Sequence, residues 1–157
     1  MKLQATGEGD LLIEEIPPFL LHLIREIPLR ADSKNPRVEA RFFPDPSSEE
    51  TLVEDWKSLV QPGLLSLFQA DRETVRADLR GVTEAGGLFV LRISKGHADA
   101  WLGALNQARL SIAEEWEFGE SDIAGEAAPD PADPRAMALF QLGFYGFLQE
   151  CLVRMQD

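Results

Sequence analysis

From Arg135 to Met155 the chain reads as one helix whose surface is apolar almost all the way round, carrying Met137, Phe140, Leu142, Phe144, Phe147, Leu148 and Cys151 among others. A helix of that kind is central to a core or covered by another subunit, so a homodimer through this helix is one expectation. Gly143 and Gly146 within it would let a second helix approach closely. The 157 residues suit a single domain spanning 1–157, because two halves would each fall near the lower size limit. No apolar run is expected to reach the roughly 18 residues of a membrane span, and Met1-Lys2-Leu3 reads as no signal peptide.

Charge narrows the classes further. The chain has 27 acidic and 15 basic residues, a formal net charge of −12. DNA, RNA and anionic lipid call for a basic footprint, so direct nucleic-acid binding and membrane attachment are not expected. The single cysteine, Cys151, leaves no disulfide within the chain and fits a reducing, cytoplasmic compartment.

Along the chain, Leu3-Gln4-Ala5 and Leu11-Leu12-Ile13 flank a glycine-bearing turn and predict a β-hairpin. Pro17-Pro18 opens a helix with an apolar face from Leu20 to Ile27, which Pro28 should end or kink. Residues 31–47 are polar and proline-rich and predict a mobile loop, with Phe42-Phe43 as its anchor. Ser48 caps a predicted helix to about Gln61 with Leu52, Val53, Trp56, Leu59 and Val60 inward. Pro62-Gly63 separates it from a helix ending near Gly81, with Leu64, Leu65, Leu67, Phe68, Val75 and Leu79 inward. Gly81 to Gly87 reads as a turn before a strand over Leu88–Ile93. A helix to about Phe118 follows, with Trp101, Leu102, Leu105, Ala108, Ile112, Ala113 and Trp116 inward, and Ser94 at its cap. Residues 119–134 predict a second mobile loop. The expected fold is mainly α, of α+β type: about five helices in a bundle, capped by an antiparallel sheet of two or three short strands.

No constellation announces catalysis. His22 and His97 are isolated, and neither a Cys-x-x-Cys pair nor a Gly-x-Ser-x-Gly elbow occurs, so no catalytic residue, metal ligand or cofactor is assigned. Cys151 on the apolar face reads as a small hydrophobe, with a redox thiol as the alternative. Two features stand out. Arg72, Arg76 and Arg80 recur every four residues and form one helical ridge, either a surface for an acidic partner or a balance for nearby carboxylates. Asn106 and Arg109 lie one turn apart beside an apolar stripe, either anchored inside the fold or lining a ligand pocket.

Trp101-Leu102-Gly103-Ala104-Leu105-Asn106-Gln107-Ala108-Arg109-Leu110 resembles the Trp-Leu-x-x-Leu-Asn-x-x-Arg-Leu segment of the AosR oxidative stress regulators, a small bacterial family. Leu148-Gln149-Glu150-Cys151-Leu152-Val153-Arg154 is similar to that family's closing helix, and Arg41-Phe42-Phe43-Pro44-Asp45 to its Arg-Leu-Phe-Pro-Asp segment. The resemblance implies a non-enzymatic regulator of transcription acting through a protein partner, a sigma factor or RNA polymerase. The family's genes often neighbour that of the ClpS adaptor, which implies a link to Clp proteolysis as the alternative. A third reading is a small-molecule binder or enzyme using Arg109 and Asn106. A thiol switch within one chain needs two cysteines, so Cys151 could act only across a subunit boundary.

Overall fold

A computed structural model of the chain describes residues 1–42, 50–125 and 128–157. The expected anchor Phe43, the cap Ser48 and the Phe43-Pro44-Asp45 portion of the resemblance lie outside the described residues. Strands β1 (Lys2–Ala5) and β2 (Leu11–Ile16) form the predicted hairpin, with Ala5 opposite Leu11. Gly9 takes φ 88° in its turn, a conformation that glycine adopts without a Cβ penalty.

β2 also pairs with β4 (Leu88–Ile93), and β4 with β3 (Thr83–Ala85), giving an antiparallel sheet in the order β1-β2-β4-β3. There are thus four strands among the described residues where two or three were expected. The extra one is β3, hidden inside the stretch read as a turn. Only Gly86-Gly87, at φ 62° and 80°, makes the reversal, as a two-residue hairpin between Ala85 and Leu88 requires.

In β2 the alternation Leu11, Ile13 slips at a bulge, so Ile16 rather than Glu15 faces the core. Glu15 absorbs the extra residue at φ 53° and pairs outward with Lys2 at 2.7 Å.

Pro18 begins α1 (Pro18–Arg25), and the helix breaks before Pro28, which lies in the first turn of α2 (Ile27–Ala31). The region expected as a loop contains α3 (Pro36–Phe42), and the second expected loop contains α7 (Glu120–Ala124). Helix α4 (Glu50–Asp55) runs through a π turn, Trp56–Val60, into α5 (Gln61–Arg80). Pro62 therefore does not separate one helix from the next. It lacks one i→i−4 donor, and the wide turn just before it accommodates the loss.

A 3₁₀ turn, Lys95–His97, leads into α6 (Ala98–Glu115), and α8 (Pro134–Gln156) closes the chain. Asp133 caps α8 by accepting from the Arg135 and Ala136 amides.

The helices do not form a simple bundle. They gather round α6, which packs against α2, α3, α5 and α8, and the sheet lies across one side. Leu11, Ile13, Leu91 and Ile93 from the sheet meet Ile24, Trp101, Leu148 and Leu152 from the helices in one core. Helix α8 is long and apolar enough to cross a membrane by length and composition. In this fold its Leu142, Tyr145, Leu148 and Leu152 are buried, so it serves as a core helix. Its polar residues are matched inside: Tyr145 donates to the Leu23 carbonyl at 2.6 Å and accepts from Gln141, which also donates to Glu26.

Candidate functional site

Trp101 is 1% exposed, and its indole N–H donates to Asp78 Oδ2 at 2.8 Å. The same carboxylate lies 2.9 Å from His97 Nδ1, so Asp78 fastens the start of α6 to the end of α5. That places the tryptophan of the resemblance in the core as an anchor.

Arg109, two turns further along α6, is half-buried and lies flat over Gly146 of α8. A Cβ on Gly146 would sit 3.4 Å from both Cζ and Nη2 of the guanidinium, which is ordinary contact, so the side chain packs closely on the backbone of α8 there. Nη1 donates to Gln149 Oε1 at 2.8 Å, and Gln149 reaches the Leu102 carbonyl. Among the described residues no carboxylate pairs with Arg109. Its Nε is shut from water without an acceptor, a state that costs about 1–3 kcal/mol.

Arg109 lines a cleft-like cavity of about 150 Å³, walled by Ile123 and Gly125 at α7 and by Leu139, Phe140, Gly143 and Phe144 of α8. Asn106 is exposed and is not among the lining residues, so the two polar residues of the motif do not converge. A larger cleft, about 270 Å³, lies between α1, α2 and the start of α8. Its charged residues already pair with one another: Arg30 with Glu26 and Glu115, and His22 with Glu26.

The arginine ridge is not one continuous surface. Arg72, with its side chain 13% exposed, points between α2 and α6 toward Asp32 and Gln107. Arg76 pairs with Glu73 on its own helix, and Arg80 is exposed at the helix end. Cys151 is half-buried, and burial pushes its thiol above the ordinary value, with Arg154 opposing. A raised thiol is a poor nucleophile near neutral pH. Among the described residues no cluster of His, Cys, Asp or Glu could hold a metal ion.

The feature that sequence reasoning missed is an arm. Between Val53 and Ala70 no residue is buried, and Leu59, Val60, Leu65 and Leu67 are 78%, 41%, 43% and 54% exposed. Leu59, Val60, Leu65 and Leu67 were expected to face inward. The structure corrects that, because the body of the fold reaches only the second half of α5, where Val75 is buried. The signal was present in the sequence: residues 58–70 hold no charged side chain in a chain that is 27% charged.

The sequence profile of a domain of unknown function, DUF2017, matches residues 6–156. No curated protein and no solved structure matches the chain.

Proposed function

The chain belongs to the DUF2017 family, and from that premise we propose that it is a non-enzymatic, cytoplasmic protein-interaction module that regulates transcription by docking its arm on RNA polymerase or a sigma factor. One observation carries the reading: Leu59, Val60, Leu65 and Leu67 stand exposed on a helical arm whose residues 58–70 carry no charge. Exposed apolar surface grouped in this way marks a face that a partner covers. The kind of partner comes from the resemblance to the oxidative stress regulators, and the acidic balance fits a protein rather than a nucleic-acid target.

The test is a titration of the labelled chain with purified RNA polymerase, with and without sigma factor, and in parallel with ClpS and its ATPase. Leu59→Glu with Leu67→Glu should weaken binding while leaving the fold intact, because neither residue touches the core. Reversal of Arg76 and Arg80 tests the ridge. Arg72 is left out, since its contacts with Asp32 and Gln107 are internal and its reversal would disturb packing. Binding to Clp components alone would move the assignment to proteolysis, and unchanged affinity in the arm variant would remove the arm from it.

A further inference from the structure

We propose that the cavity between α6, α7 and α8 binds a small monocarboxylic acid with an apolar body, its carboxylate held by Arg109. This goes beyond the partner-binding reading and does not depend on it.

The geometry supplies three elements of such a site. The first is a fixed cation. Arg109 is half-buried without an acidic partner among the described residues, and it is held flat by Gly146 and by the bond to Gln149. A guanidinium fixed in this way has lost its rotamer freedom before a ligand arrives, which lowers the cost of binding.

The second is an open donor. Nη1 is engaged by Gln149 and Nε is shut from water, but among the described residues no acceptor meets Nη2. That nitrogen is left to donate a charge-assisted bond to a carboxylate.

The third is the wall. Ile123, Leu139, Phe140, Leu142 and Phe144 are apolar, and about 150 Å³ is roughly the volume that accommodates a benzene ring. One cation facing an apolar wall selects a monoanion. A phosphate or a dicarboxylate would bring a second negative charge with nothing to meet it, into a chain of net charge −12.

The experiment is an NMR titration of the isotope-labelled chain with benzoate, phenylacetate and isovalerate, each against its neutral amide. At least one acid is expected to shift the Gly125, Gly143 and Gly146 amides saturably, while its amide partner leaves them unmoved. Arg109→Gln is expected to weaken that binding roughly ten- to hundredfold. A second variant guards against a folding defect. A Cβ at Gly143 meets nothing within 4 Å, so Gly143→Leu projects into open space and should close the site in a folded chain. Silence from all three acids, an equal response to acid and amide, or undiminished binding by Arg109→Gln overturns the proposal.

Discussion

Asp71 lies half-buried on α5 with its carboxylate pressed against Gly103 of α6, at the position a side chain there would occupy. Among the described residues no donor satisfies it. Burial pushes its carboxyl above the ordinary 3.8, Asp99 adds to the shift, and Arg72 opposes it. The folded chain therefore holds this proton more tightly than the unfolded chain does. Stability falls as pH rises from 3.8 through the raised folded value, and stays reduced above it. Asp10 behaves in the opposite way. The Lys95 amide, then Arg92, hold its carboxyl low, so its contribution is present above 3.8 and lost as pH falls through the lowered value. Asp71→Asn should raise the urea midpoint at pH 7, and the gain should shrink as the pH approaches about 4. A gain independent of pH would mean that the charge on Asp71 is not what costs stability.

Helix α6 ends in a Schellman motif. The Phe118 amide returns to the Ala113 carbonyl at 2.9 Å and the Glu117 amide to Glu114 at 3.3 Å, with Glu117 itself at φ 53°. A left-handed conformation costs a non-glycine residue about 1–2 kcal/mol. The exposed pair from Glu117 to Arg37 returns at most about 1 kcal/mol. Glu117→Gly is thus expected to stabilise the chain by up to about 1 kcal/mol, read as a higher thermal midpoint, and a lower midpoint would show that the Arg37 pair matters more than the strain. The same end of α6 shows why some elements were legible in the sequence and others were not. Helices α1, α6 and α8 carry long apolar patterns or proline starts, so their existence could be read directly. Helix α3 has no such pattern; it is tied down by Arg37 and Arg41 reaching Glu114 and Glu117, contacts 73 to 80 residues apart in sequence. Strand β3 is three residues long and owes its place to β4. In α5 the apolar positions were legible but their direction was not, because spacing alone does not distinguish a core face from a partner face. Arg109 could be singled out as a cation beside an apolar stripe. Its cavity could not, since Phe140 and Phe144 read simply as core.

At the scale of the whole molecule, two electrostatic effects oppose each other. A net charge of −12 repels itself across a small body, which strains the folded state relative to the expanded one. Against this stands the cluster at the end of α6. Glu114, Glu115 and Glu117 sit where the helix dipole disfavours acids, and Arg30, Arg37 and Arg41 compensate at 3.3–3.4 Å. Salt weakens both, since the screening length falls from about 30 Å at 0.01 M to about 10 Å at 0.1 M. The pairs are largely exposed and each contributes about 1 kcal/mol or less, whereas the excess charge acts over the entire surface. Raising sodium chloride from low to physiological strength should therefore raise the thermal midpoint. The local effect runs the other way: α3, held by its arginines, should exchange its amide hydrogens faster in salt even as the whole chain becomes more stable. A midpoint that falls with salt would mean that the arginine bridges to α6 outweigh the net repulsion, and α3 would then belong to the stable body rather than being an appendage to it.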